Sequence, residues 1–321
     1  MDDIFIDWPA FWARDRTDVD WLYEPILARG RGHAIFAWQK TGKSLLTAAI
    51  CAELALRPRI LVIYLDYEMT EEDVYDRFSD MGYDETTDFS RFRYALLPSL
   101  PPLDTQEGAR ALLAILDAER AAWPACHPVV IIDTMSRAVH GDENEADTIR
   151  RFYRYTGLAL KQRRVTWARL DHAGKDREKG QRGSSAKGDD VDVIWRMEEA
   201  EDGYLLHREA ARMSWVPEKV AIRKLDEPLR FRIVGGVLPA GTYDLVSVLE
   251  ELGVLPGTPV RTTRKILTES GHTATQGTLA AACKVLRIRA VTLKPDSVTG
   301  ISQPSRNGSS NDTPPPLLAT E

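Results

Sequence analysis

The sequence predicts an α/β protein, a mostly parallel sheet covered by helices, with a small helical module behind it. Three observations carry that expectation. Apolar, strand-like runs alternate with helix-patterned stretches from His33 to His172. The turn Gly42-Lys43-Ser44 joins the first such run to the first such helix. Beyond Pro239-Ala240-Gly241 the strand-like runs stop and three short helical stretches follow.

Taken in order, residues 1–24 read as a polar, aromatic lead-in packed on the main domain, with Trp8, Phe11, Trp12, Trp21 and Tyr23. "HAIFAW" is a strand. "GKSLLTAAICAELAL" is a helix with Leu45, Leu46, Ala49, Ile50 and Leu54 near one face. "RILVIYLDY" is a buried strand. "TEEDVYDRFSDMG" is a helix opened by Thr70, with Asp73 in the capping-box position, and stopped by Gly82. A helix over "GARALLAILDAERAAW", a buried strand "PVVIID", a single helix over "ADTIRRFYRYTGLALKQR" and a strand "VTWARLDH" complete the alternation. Strands at "VDVIWRMEEA", "GYLLHREA", "KVAIRKL" and "LRFRIVGG" would extend the sheet antiparallel at one side. The expected organisation is a lead-in over 1–24, a main domain over 25–238, a helix-turn-helix or winged-helix module over 239–294, and a tail over 295–321. The tail, "SQPSRNGSSNDTPPP" at its centre, is too polar to offset its ordering entropy and is expected to be disordered.

Composition excludes several classes. With 43% hydrophobic and 28% charged residues the chain has an ordinary globular profile. No apolar run approaches the roughly 20 residues of a membrane span. The start, "MDDIFIDWPAFWARD", lacks a basic region followed by an apolar one, so a cytoplasmic protein is expected. Cys51, Cys126 and Cys283 lie far apart and match no metal or redox spacing. A net charge of −6 argues against a surface that coats nucleic acid throughout, but not against a local basic loop.

The strand–turn–helix over Ala37, Trp38, Gln39, Lys40, Thr41, Gly42, Lys43, Ser44 and Leu45 has the form of a phosphate-binding loop, so ATP and Mg²⁺ are the expected cofactors. In such a loop backbone N–H groups curl around a phosphate at a helix N-terminus, a lysine reaches the outer oxygens and a hydroxyl holds Mg²⁺. Lys43 and Ser44 fill those roles. Ala37 stands where the loop would open with glycine; a positive φ there would cost an alanine on the order of 1 kcal/mol. Lys40 adds a cation and Trp38 a cover. "VVIIDT" ends an apolar strand in Asp133, the acid expected to share the metal with Ser44.

The segment "YLDYEMTEEDVYDR" resembles the one that bears the catalytic glutamate in hexameric replicative helicases of the RecA superfamily, the DnaB and RepA-like groups. By that resemblance Glu68 orients the attacking water, with Asp66 and Glu71-Glu72-Asp73 as rivals. "LDHAGKDREKGQRGSSAKGDDVDVIWRM" is similar to the RepA-like run of a strand ending in histidine, a polar loop, an RGSSA-like box and an Asp-rich helix. The resemblance implies that His172 senses the γ-phosphate and that the loop contacts DNA. The loop's Lys175, Arg177, Lys179, Arg182 and Lys187, interleaved with glycines, suit phosphate contact, and Arg137 lies in a second loop of that kind. In "LHREAARMSWVPEKVAI" Arg212, with Arg208 second, matches an arginine that reaches a neighbouring subunit's nucleotide. The lysine that often precedes it by two is replaced by Ala210. The resemblance spans residues 25–235 and implies a RecA-like core, a homo-oligomer, a hexamer by analogy, and single-stranded DNA as partner. Two functions fit: a RepA-like replicative helicase of a phage, plasmid or related element, or an ATP-gated DNA-binding regulator or loader. In the second, Thr275–Leu286 would read duplex DNA with Arg287 and Arg289 on phosphates, or the module would contact a replication protein.

Overall fold

A computed structural model describes residues 5–13, 20–143, 145–173, 190–236 and 242–292. Strands β1 (Trp21–Tyr23) and β2 (Leu27–Ala28) form a small antiparallel hairpin. The main sheet has nine strands: β3 (Gly32–Ala37), β4 (Ile60–Asp66), β5 (Phe92–Leu96), β6 (His127–Asp133), β7 (Thr166–His172), β8 (Val193–Ala200), β9 (Gly203–Ala211), β10 (Lys219–Asp226) and β11 (Leu229–Gly236). Their order is β11-β10-β9-β8-β3-β7-β6-β4-β5. The pairs from β8 to β5 are parallel and those from β8 to β11 antiparallel, the expected division.

Side chains along each central strand alternate between two cores. Ile35, Val62, Tyr64 and Leu170 face one; Ala34, Phe36, Ile63 and Ile132 face the other. The first is covered by α2 (Lys43–Leu56) and α3 (Glu71–Asp80), following the short α1 (Trp8–Ala13). The second is covered by α4 (Gln106–Ala122), the one-turn α5 (Met135–Ala138), and α6 (Ala146–Phe152) continuing into α7 (Leu158–Gln162).

Four features depart from the sequence expectation. Helix α2 is buried on nearly every side, not along one face, because the β1–β2 hairpin covers the side away from the sheet. Tyr23 donates to Glu53 and Arg57 donates to the Leu22 carbonyl, fastening the hairpin to that helix. The hairpin therefore runs across the 24/25 boundary, with Trp21 paired to Ala28. The stretch 146–163 is not one α-helix: a π-turn, Tyr153–Gly157, separates α6 from α7 where Gly157 passes under Trp167. Strand β5 was absent from the sequence reading; its "FRYAL" shows only one fully buried position.

Thr70 and Asp73 form the expected reciprocal capping box on α3, and Gly82 takes the left-handed conformation just beyond it, at φ 71°. Past residue 241, α8 (Thr242–Glu251), α9 (Val260–Glu269) and α10 (Gln276–Thr292) close on a core of their own, including Val246, Leu249, Leu267, Leu279 and Ala282. Gly277 lets α10 approach the core: a Cβ there would lie 2.5 Å from the Ser214 carbonyl oxygen. The expected disordered tail lies outside the described residues, and no described helix is long and apolar enough to cross a membrane.

His33 ties the hairpin to the sheet and makes the fold acid-sensitive. Its Nε2 accepts from the Ala28 N–H at 3.0 Å while its Nδ1–H donates to the Trp167 carbonyl at 3.1 Å, so the neutral ring is the one that fits. Complete burial pushes its pKa down to about 4 from 6.5. A depressed folded value means stability is fully present above about pH 6.5 and is lost as pH falls towards 4, by about 3 kcal/mol at the limit. Urea midpoints should decline across that window, and an NMR titration should find the His33 ring unprotonated down to about pH 4. A His33 titrating near 6.5 would refute the linkage.

Candidate nucleotide site

The site stands where the parallel strands end together. Ala37 at the end of β3 pairs in register with His172 of β7 and Met197 of β8, and Asp66 of β4 pairs with Asp133 of β6. Crevices at the carboxyl ends of such sheets are where ligands bind in open α/β folds.

The loop between β3 and α2 is built as a turn. Thr41 closes it, donating from both its backbone N–H (3.3 Å) and its hydroxyl (2.8 Å) to the Trp38 carbonyl. Ala37 is not the strained residue: it is the last residue of β3, buried among strands. The left-handed positions are Lys40, at φ 65°, and Gly42, at φ 85°. Gly42 cannot be replaced by a larger residue, since a Cβ would sit 2.1 Å from the Tyr204 hydroxyl oxygen. Gln39 and Lys40 are exposed and Trp38 half-buried, while Leu45 packs against the first core. Lys43 and Ser44 occupy the first turn of α2, where backbone N–H groups have no helical acceptor and favour an anion.

Asp133 is the convergence point. Ser44 donates to its Oδ1 at 3.0 Å, the Lys43 ammonium lies 3.9 Å from the same oxygen, and the Tyr64 hydroxyl donates to Oδ2 at 2.7 Å. Burial nevertheless dominates and raises the Asp133 pKa above its ordinary value, with Lys43, Tyr64 and Ser44 pulling it back. Burial and the neighbouring carboxylate hold the Tyr64 phenol protonated, so it always donates.

The structure separates Glu68 from its rivals. Asp66 is fully buried, its Oδ1 accepting the N–H groups of Glu68 and Met69 and its Oδ2 the Tyr94 hydroxyl. Glu71 and Glu72 are exposed, and Asp73 is occupied by the cap. The Glu68 carboxylate instead meets Thr134 (3.2 Å), His172 Nε2 (3.8 Å) and Arg137 Nε (3.9 Å). Burial and then Lys43 keep the His172 pKa below the usual imidazole value, so the ring is neutral near pH 7. Its buried Nδ1 has no hydrogen-bond partner among the described residues.

Behind His172, on the opposite face of β7, Arg169 is completely buried and pairs with Asp171 (3.1 Å) and with Asp190. Asp190 is where the described chain resumes, and burial pushes its pKa up to about 6. The segment from Asp190 to Asp192 is irregular chain leading into β8, and the stretch before it, where the RGSSA-like box falls, lies outside the described residues. Lys175, Arg177, Lys179, Arg182 and Lys187 lie outside the described residues.

Arg212 is not brought to this site within the chain. It follows β9 beside Asp192, which bonds to Gly32 at the opposite end of β3, about 17 Å from the loop at the parallel-strand rise. Asp192 gathers Lys161, Arg212 and Arg31 at 2.9, 3.6 and 3.8 Å. Arg208 is held by the Val216 carbonyl and Glu218. The sequence reading missed Tyr64, Tyr94 and Thr134. A tyrosine in an aliphatic strand two residues before its terminal acid was a usable signal, because a buried phenol needs a partner.

The residues present fit a magnesium-bound triphosphate. One hydroxyl and one carboxylate, 3.0 Å apart beside a lysine, are what a phosphate-borne magnesium takes from protein. Among the described residues no cluster of three or more carboxylate, imidazole or thiol groups could hold an ion unaided.

A parallel sheet with a phosphate loop after a central strand and a partnered acid two strands away defines the P-loop nucleotide-binding class. A family model described as an AAA domain matches residues 6–178, and the chain belongs to that family, which is one of AAA-type P-loop ATPases. A search of curated proteins finds no match.

Replacing Tyr64 by phenylalanine removes one donor from a buried carboxylate. Asp133 should then titrate higher still, moving the acid limb of magnesium-nucleotide binding to higher pH and weakening binding at pH 7 roughly tenfold. Tyr94→Phe, whose hydroxyl serves Asp66 instead, should leave that limb in place. Calorimetric titrations of both variants across about pH 5 to 8 separate the two, and an unmoved limb in Tyr64→Phe would discard the assignment.

Proposed function

We propose that this protein hydrolyses ATP as an oligomer and uses the energy to move along single-stranded DNA, in the manner of RepA-like replicative helicases of phages, plasmids and related elements. The observation that carries the reading is the meeting of Glu68, Thr134 and His172 beside the Lys43–Ser44–Asp133 cluster. It supplies both halves of phosphoryl transfer to water, a cradle for the phosphates and a carboxylate with polar neighbours for the nucleophile.

In this reading Lys43 and the first-turn N–H groups of α2 hold the phosphates, and Ser44 and Asp133 hold Mg²⁺. The ion, when bound, offsets charge on the phosphate oxygens. Glu68 accepts the proton of the attacking water, while the Thr134 hydroxyl and the neutral His172 ring keep its carboxylate oriented. His172 lies in register with Ala37, one strand from the loop, which suits a γ-phosphate sensor. The Arg169 cluster links the strand bearing His172 to Asp190, so a shift at His172 has a rigid route to the basic segment between them. Arg212, exposed and far from its own loop, acts on the nucleotide of the next subunit of a hexamer.

A second reading, an ATP-gated regulator or loader, is favoured by one feature. The three helices α8, α9 and α10 share a core of their own, and Arg287 is exposed on α10; in this reading α9 and α10 would serve as a helix-turn-helix pair. A recognition helix there would dock duplex DNA, or the module would dock a replication protein.

Glu68→Gln should bind nucleotide normally yet lose ATP hydrolysis by roughly 100-fold or more, whereas Lys43→Ala should lose binding itself. Wild-type turnover should rise with single-stranded DNA. On a forked duplex a motor separates the strands; a regulator retards labelled duplex and separates nothing. Full activity in both variants would remove the site assignment.

A further inference from the structure

The parallel strands have two ends, and the nucleotide site uses one of them. At the other, the starts of β3, β7, β6 and β4 lie level: Gly32 pairs with Trp167, Val129 with Thr166, and Ile60 with His127. The chain entering each strand is bonded to its neighbour. The Trp167 N–H donates to the Arg31 carbonyl (3.0 Å), the Gly30 N–H to the Thr166 hydroxyl (2.7 Å) and the His127 N–H to the Arg59 carbonyl (2.8 Å), while Thr166 Oγ1 lies 2.8 Å from His127 Nε2. The result is a fixed rim about 14 Å long, set by the spacing of its strands.

Arginines crowd this rim, in a chain whose net charge is −6. Arg29 and Arg31 precede β3, Arg59 precedes β4, Arg163 and Arg164 precede β7, and Arg120 lies in the last turn of α4. Carboxylates offset only part of that charge. Arg29 pairs with Asp20 (3.0 Å), Arg163 with Asp117 (3.7 Å) and Arg31 with Asp192 (3.8 Å). Arg59, Arg120 and Arg164 form no ion pair among the described residues. Arg59 and Arg164 are exposed, and both hold left-handed backbones, at φ 61° and 55°, where glycine would be the unstrained residue. The positive field is felt beside them: burial, and then the charges of Arg29 and Arg120, push the His127 pKa down to about 4.

Guanidinium groups set in a row fit phosphate oxygens, which they meet with paired N–H donors. Over about 14 Å one strand of a DNA duplex presents about four phosphates. A single strand would instead call for stacking surfaces. The exposed aromatic residues, Phe5, Trp8, Trp12 and Tyr75, all lie outside these loops. We propose that the rim binds the phosphate backbone of duplex DNA, whatever its base sequence, with Arg59, Arg120 and Arg164 as its principal contacts. The surface runs from β3 towards β4, away from Arg212, and stands at the opposite end of the sheet from the phosphate loop. It needs no nucleotide and does not depend on the reading of the Lys43 site.

The experiment follows a labelled duplex of about 20 base pairs by fluorescence anisotropy, on the full-length protein without nucleotide, over a salt series. Wild type should bind, with affinity falling as salt rises at a log–log slope of about −3. The Arg59→Gly/Arg164→Gly variant should bind roughly tenfold more weakly and with a slope shallower by about two. Glycine suits both backbone positions, so the thermal midpoint should not fall, and the lost binding reports the guanidinium groups. Should that variant fail to fold, Arg120→Ala, in a helix that favours alanine, should still flatten the slope by about one. No duplex binding by wild type, or unchanged affinity and slope in these variants, overturns the proposal. So does a loss confined to Arg287→Ala, which would move the contact to the helical module. Equal affinity for polyglutamate would make the partner an acidic protein segment, and tighter binding of a single strand by the same arginines would discard the duplex; either result overturns the assignment and leaves the phosphate loop standing.

Discussion

A carboxylate held out of water at the end of β6 is the constraint on which the rest of the molecule depends. Asp133 is almost completely buried, and an unpaired charge there would be untenable. It persists because three elements each bring it a partner: Lys43 and Ser44 from the first turn of α2, and Tyr64 from the adjacent β4. Each partner is positioned by something else. The helix turn is set by Gly42, whose left-handed backbone and lack of a side chain let Tyr204 of β9 pack against the loop. Tyr64 is set by its stack on Tyr94 of β5, ring centroids 4.8 Å apart and nearly parallel. The edge strand, the central strand and the antiparallel extension thus all bear on one oxygen pair.

That arrangement explains why two neighbouring acids behave so differently. Asp66 and Asp133 end adjacent strands in register, yet Asp66 spends its oxygens on the backbone of the following turn and on Tyr94. By fixing that turn it aims Glu68, two residues on, back across the sheet towards Thr134 and His172. The buried acid shapes the loop, and the exposed one is left beside a hydroxyl and an imidazole.

The remaining architecture reads as attachment. The β1–β2 hairpin seals α2 from the solvent side through His33, Glu53 and Arg57. The helical module is fastened at several points to the same surface: α10 lies on Ser214 and Trp215, Lys284 pairs with Glu24, and Arg261 donates to the Trp12 carbonyl. Trp215 in turn packs edge-on against Trp21 of the hairpin at 4.5 Å. The module, the hairpin and the turn following Arg212 therefore share one contact zone, at a distance from the phosphate loop.

What the sequence alone determined is what depends on local pattern. The alternation of apolar runs and helices, the capping box at Thr70, and the meaning of Gly42-Lys43-Ser44 followed by a strand ending in Asp133 were all legible, since each rests on spacing within a few residues. Glu68 was singled out only through resemblance, because Asp66, Glu71, Glu72 and Asp73 are equally acidic and nearby. Tertiary structure set their surroundings apart, by burying one, capping with another and leaving two in solvent. It also decided that Ala37 ends a strand without strain, that β5 exists at all, and that Tyr64 and Tyr94 serve different acids. It placed Arg212 at the far end of β3. These are consequences of strand order and register, which join residues tens of positions apart, and no periodicity along the chain encodes which strand will lie beside which.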